Sequence, residues 1–138
     1  MWVHSLFPRF GETDVLGHIN NTVLPVWFEE ARTPIFRLFT PDLNPQHWKL
    51  IIAKIDVEYL GELFYGQEVE VRTVIQKLGN SSMTILHEAW QSGRLASRGH
   101  CVMVHFDHEL KRSTTIPAEI RSVLNQHLIT EDTENPVV

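Results

Sequence analysis

The sequence predicts an α+β domain in which an antiparallel sheet packs against one central helix, and three observations carry that expectation. An apolar run with helical spacing follows Asn21, alternating apolar and polar residues recur in segments beyond Leu50, and short turns join most of those segments. Short turns between successive strands imply antiparallel pairing. A lone helix must then cover one face of the sheet, because nothing else is available to do so. The 138 residues are enough for one domain with a real core. No internal repeat or linker divides them. Residues 1–128 are therefore expected to form a single domain, and 129–138 a polar, acidic tail.

Trp2 to Phe10 is rich in bulky residues and reads as a first strand. From Asn21 or Thr22 the pattern changes: Leu24, Trp27, Phe28, Ala31, Ile35 and Leu38 recur at helical spacing. Val23 and Val26 widen that stripe, so the helix should be buried on more than one side. Pro25 falls in the first turn, where a missing N–H costs little, whereas Pro34 should kink or interrupt the helix. Pro41–Pro45 is a loop by composition. Ile51, Ala53, Ile55, Val57 and Tyr59 alternate with Lys54, Asp56 and Glu58, the pattern of a half-buried strand. Val69–Ile75, Met83–Trp90 and Leu95–Phe106 follow as strands, with turns at Gly79–Ser82 and Ser92–Gly93. Ile116-Pro117 opens a short terminal helix over Pro117–His127.

Composition narrows the function. Apolar residues at 43% and charged residues at 21% are those of a globular protein. A net charge of −5 argues against nucleic acid as the main partner, since phosphate binding wants a basic face. Cys101 stands alone, so no internal disulfide can form and a reducing, cytoplasmic setting is expected. No apolar run reaches the length of a membrane span, and Met1–His4 lacks the pattern of a signal peptide. The eight histidines form no H-E-x-x-H arrangement, and His105 and His108 are the only close pair, so no metal site is expected.

Chemistry concentrates in Asp14-Val15-Leu16-Gly17-His18-Ile19-Asn20-Asn21, which places a carboxylate, a glycine turn, a histidine and two capping asparagines just ahead of the helix. A helix start exposes unpaired N–H groups and the positive end of the macrodipole, which together can hold an oxyanion. A carboxylate one short turn upstream can attack a carbonyl or activate a water to do so. Each residue also has a plainer role. Asp14 suits a turn, Gly17 an unusual backbone angle, His18 a hydrogen bond tying the turn, and Asn20 and Asn21 helix capping. Glu29 and Glu30 read as a solvated or ion-paired helix flank with Arg32 close by. Cys101 reads as packing in a buried strand.

The run Arg9–Asn21, continuing to Phe28-Glu29-Glu30-Ala31-Arg32, resembles the hotdog-fold acyl-CoA thioesterases of the 4-hydroxybenzoyl-CoA thioesterase type. The patterns D-x-x-G-H-x-N-N and F-E-x-A-R carry the resemblance, with Leu78–Ser82 and Ile116–Ile120 as weaker matches. The resemblance implies a curled antiparallel sheet of about five strands wrapped around a long helix. It implies hydrolysis of a thioester to a carboxylic acid and a free thiol, without a cofactor. It places the catalytic carboxylate on Asp14 and the oxyanion donor on a backbone N–H at or beside Asn21. Gly17, His18, Asn20, Ser81 and Ser82 become substrate-binding candidates, and Lys77, Arg94, Arg98, Lys111 and Arg112 candidates for phosphate contact. It also implies a homodimer or homotetramer with the pocket between subunits. The sheet edge of a small antiparallel domain needs covering in any case.

The expected substrate is an acyl-CoA, or an acyl carrier protein carrying the same thioester. A thiol leaving group with a pKa near the cysteine value of about 8.5 departs as thiolate, so no dedicated general acid is required. The competing reading is a non-catalytic acyl-thioester binding or sensing module on the same fold. A binder has no need of Asp14. A hydratase would want a proton-shuttling His or Glu pair, and none is evident in the sequence.

Overall fold

A computed structural model describes residues 1–129. Of the acidic tail expected at 129–138, residues 130 onward lie outside the described residues. The elements run β1 (Trp2–Leu6), α1 (Leu24–Ala31), α2 (Thr33–Phe39), β2 (Leu50–Tyr59), β3 (Val69–Leu78), β4 (Ser82–Gln91), β5 (Arg94–Asp107), β6 (Arg112–Ser113) and α3 (Ala118–Asn125). All strand pairs are antiparallel, in the order β1-β3-β4-β5-β2, with β6 on the end of β5. The sheet curls around the α1–α2 segment, as the resemblance implied.

Two apolar clusters fill the space between them. Leu24, Trp27, Phe28 and Ala31 of α1 meet Val69 and Val71 of β3 and Ala89 of β4. Ile35 and Phe39 of α2 meet Ile75, Ile85, Met103 and Leu124. Trp27 and Phe28 are thus buried core residues. Gly99 of β5 is required by this packing, because a Cβ there would sit 2.6 Å from the Phe28 ring.

The central helix is interrupted, at Arg32. Pro34 has no N–H to give the Glu30 carbonyl and its ring crowds that carbonyl, so the chain tightens just ahead of it. The Arg32 N–H accordingly bonds Glu29 O at 3.0 Å, three residues back.

β2 departs further from expectation. It does not pair with β3 but lies at the far edge, bonded only to β5, and residues 60–68 carry the chain back across the end of the sheet. Nor is it half-buried: Leu50 is enclosed and Val57 partly covered, while Ile52 and Ile55 stay 47% and 51% exposed. A bulge between Ile52 and Lys54 shifts the alternation, and α1–α2 cover β3, β4 and β5 but leave this strand largely bare. Among the described residues no helix is long and apolar enough to cross a membrane.

Candidate active site

Residues 14–18 form a compact turn. Asp14 Oδ1 accepts from Leu16 N–H at 2.8 Å and His18 N–H at 3.1 Å, and Asp14 N–H donates to His18 O at 2.7 Å. Gly17 closes the turn at φ +81°, a conformation that a residue with a Cβ adopts only under strain. A Cβ there would meet no atom within 4 Å, so the glycine is needed for its backbone angle alone. Isolated bridges from Thr13 to Ile19 and from His18 to Phe64, together with Ile19 N–H to Leu63 O at 2.9 Å, tie the turn to the 60–68 crossing.

The plain reading of Asp14 as a turn residue holds, and it occupies only one of the two carboxylate oxygens. Oδ1 is spent on the turn, and Oδ2 makes no hydrogen bond among the described residues. The half-buried carboxyl lines a cleft of about 230 Å³ together with His18, Asn21, Tyr59, Glu62 and Ser97.

Across this cleft the helical segment begins as a 3-10 turn, Asn21–Val23, that runs into α1. Asn20 caps it, its Oδ1 accepting from Thr22 N–H at 3.0 Å and the Thr22 hydroxyl at 2.9 Å. The Asn21 side chain is exposed, and its N–H has no acceptor among the described residues. The Tyr59 hydroxyl donates to Asn21 O at 2.6 Å, pinning the helix start to the end of β2. Glu12 braces the same corner, accepting from Arg9 N–H at 2.6 Å and Trp27 Nε1–H at 2.9 Å. His18 sets its Nδ1 3.2 Å from Glu62 Oε2 and its ring edge-on to Phe64.

Asp14, His18 and Asn21 are therefore gathered at one cleft, with Gly17 and Asn20 shaping the backbone around it. Ser81 and Ser82 are not there. They occupy the β3–β4 turn, where Ser82 pairs with Val104, whereas the cleft residue Ser97 pairs with Ala89 at the other end of β4. That separation is roughly 23 Å at about 3.3 Å per residue. None of Lys77, Arg94, Arg98, Lys111 and Arg112 lines the cleft, and Arg98 is engaged by Glu88 at 3.2 Å.

Glu62 is a cleft residue that the sequence did not single out, and Tyr59, an aromatic equally suited to a pocket wall or the core, lines the cleft. The alternation in β2 placed Tyr59 on the face of Val57, but no spacing tied either residue to the motif. The expected flank of Glu29, Glu30 and Arg32 needs correction. Glu30 approaches His4 at 3.7 Å, while Arg32 is only 3% exposed and makes no ion pair among the described residues. The helix break at Pro34 turns it inward, where Nη1 lies 3.3 Å from His87 Nε2. Burial lowers the Arg32 pKa and pushes that of His87 well down, and it pushes the Cys101 thiol up. Among the described residues no group of three or more His, Cys, Asp or Glu side chains is arranged to hold a metal ion.

The chain is similar to known proteins over most of its length. The family profile of the thioesterase-like superfamily matches residues 8–124. A predicted thioesterase from Bacillus stearothermophilus is 43% identical and superimposes with a TM-score of 0.90, covering 94% of this chain and 97% of that one. A Thermus thermophilus thioesterase, solved with coenzyme A and Zn, is 30% identical with a TM-score of 0.78, covering 88% and 95%. YsmA of Bacillus subtilis, an uncharacterized protein, is 27% identical over 118 residues, 84% of this chain and 80% of its own.

Proposed function

We propose that this chain, which belongs to the thioesterase-like superfamily, hydrolyses an acyl-CoA to a carboxylic acid and free CoA in the manner of the 4-hydroxybenzoyl-CoA type. One observation carries the reading. Asp14 keeps an unengaged carboxylate oxygen in the same cleft as the unclaimed N–H of Asn21.

With the thioester oxygen held by that N–H at the positive end of the helical segment, negative charge on the oxygen is stabilised as the carbonyl carbon is attacked. Asp14 Oδ2 acts in one of two ways. As a base it takes a proton from water, and the hydroxide adds to the carbonyl. As a nucleophile it adds directly, and water then cleaves the mixed anhydride. Either way the tetrahedral oxyanion collapses by breaking the C–S bond, and CoA leaves as thiolate. No cofactor is called for, because CoA enters as part of the substrate.

CoA is preferred over an acyl carrier protein because the Thermus relative holds coenzyme A. The reading includes a homo-oligomer in a cytoplasmic setting, with residues 1–128 as its domain. The unpaired edge of β2, with Ile52 and Ile55 exposed beside it, is the surface a second copy would cover. Ser81 and Ser82 would reach a CoA only from another subunit.

The test is a panel of acyl-CoAs offered to the purified protein, with released thiol read by a chromogenic reagent. Turnover of at least one member is expected. Binding across the panel without any thiol release would leave the sensing module standing and remove the hydrolase.

A further inference from the structure

A second cavity lies deeper along the same seam between α1 and β2. The Asp14 cleft is bounded there by Leu24 and Tyr59, and the second cavity by Pro25, Phe28, Ile55 and Val57, with Arg32 and His87 at its base. Ile55, Val57 and Tyr59 alternate onto one face of β2, and α1 carries the other wall from Leu24 to the Arg32 break. That stretch of helix spans roughly 12 Å at about 1.5 Å per residue. The enclosed space is only about 20 Å³, room for one water-sized group.

Its base is a guanidinium that makes no ion pair among the described residues. Arg32 has five N–H donors, and its one hydrogen bond among the described residues is Nη1 to His87 Nε2 at 3.3 Å. Nε is fully buried and has no partner among the described residues. His87 cannot supply the missing charge. A guanidinium only donates, so Nε2 accepts, and the ring proton sits on Nδ1, which donates to Thr73 Oγ1 at 2.8 Å. The carboxylate bordering the cavity, Asp56, is held by His100 at 2.8 Å. A buried, singly bonded guanidinium is costly unless an acceptor completes it, and a carboxylate matches its planar fork best.

We propose that the Arg32 guanidinium is a specificity determinant that receives the carboxylate end of an acyl chain laid along the α1–β2 seam, making the preferred substrates ω-carboxyacyl-CoAs of medium length. This rests on the acyl-CoA hydrolase reading above and adds the chemical class of the acyl group. Apolar walls suit the methylene chain, and the cavity has room for one terminal oxygen against the guanidinium.

The test compares suberoyl-CoA with octanoyl-CoA, which differ only at the far terminus. Wild-type protein is expected to favour suberoyl-CoA by about tenfold or more in kcat/KM, the size of one charge-assisted contact. Arg32→Met, of similar length without the charge, should bring that ratio to one or below, and Arg32→Lys should keep part of it. A wild-type ratio of one or below, or a ratio unchanged in folded Arg32→Met, overturns the inference. A shift of Arg32→Met from dimer to monomer with an unchanged ratio overturns it too, by assigning the guanidinium to a second copy of the chain. Should Arg32→Met fail to fold, stronger competitive inhibition of the wild type by free suberate than by octanoate supports the proposal, and equal inhibition overturns it. Turnover of other acyl-CoAs but neither of these also overturns it, whereas no turnover of any acyl-CoA strikes the hydrolase reading beneath it.

Discussion

The Asp14 turn and the Arg32–His87 cluster are both polar devices set against an apolar core, and they are built in opposite ways. The turn is local. Its carboxylate, its glycine and the N–H groups that bond it lie within five residues, so backbone geometry alone assembles it. The cluster is tertiary, joining a helix break to neighbouring strands, with Arg32 and His87 55 residues apart. Local devices can be solvated and half-open, as the cleft is. Tertiary ones sit where water is excluded, and there an unmatched charge is expensive. Polar groups in the first region have one atom to spare for chemistry. In the second they wait for a partner.

The largest effect is expected where structure and chemistry share one side chain. Asp14→Ala removes both the oxygen that holds the turn and the oxygen that faces the cleft. Thiol release should fall at least about a hundredfold, and the folding free energy by about 1–2 kcal/mol, as for a lost cap, measured by denaturant titration. Activity lost with no change in stability would mean that Oδ1 contributes nothing to the turn.

A smaller effect is expected at Tyr59, which touches the helix start from the opposite wall. Tyr59→Phe frees the Asn21 carbonyl without emptying any buried space, since Tyr59 is 53% exposed. On the proposed reading it positions the oxyanion donor. Steady-state kinetics should show kcat lowered by about three- to tenfold, the range of one ordinary hydrogen bond, with KM and melting temperature little changed. An altered KM with constant kcat would make Tyr59 a binding residue instead.

The smallest effect separates the regions by pH. His87 has its folded pKa held well below the usual histidine value, by burial first and by the Arg32 charge next. The unfolded chain therefore binds the extra proton first as pH falls. The stability that neutral His87 contributes is complete above about pH 6.5 and declines below it, by about 1.4 kcal/mol at one pH unit lower. His87→Gln can still accept from Arg32 and donate to Thr73, but cannot titrate. Denaturant midpoints taken at fixed protein concentration between pH 7.5 and 5.5 should thus fall less steeply for the variant. Equal slopes would show that His87 is not the group responsible.

The same contrast explains what could be read from the sequence. The turn was legible because its partners are neighbours: D-x-x-G-H-x-N-N names the carboxylate, the positive-φ glycine and the cap in order. Strands β3 to β5 were legible because their alternation meets one helix-covered face. β2 carries the same alternation but lies at an edge with a bulge at Ala53, so its pattern did not report burial. The Pro34 break was visible, yet its consequence was not. Turning Arg32 from the solvent flank into the core depends on what the strands bring opposite, and no spacing encodes His87, Thr73 or the Tyr59 contact with Asn21.

The most direct measurement is the turnover of Asp14→Asn on whichever acyl-CoA the wild type cleaves best. The amide retains an oxygen to accept from Leu16 and His18, so the fold and melting temperature should hold, while the negative charge is gone. Thiol release reduced at least about a hundredfold in a protein of unchanged melting temperature is the expected result. Wild-type turnover by that variant would contradict the assignment of Asp14 as the catalytic carboxylate.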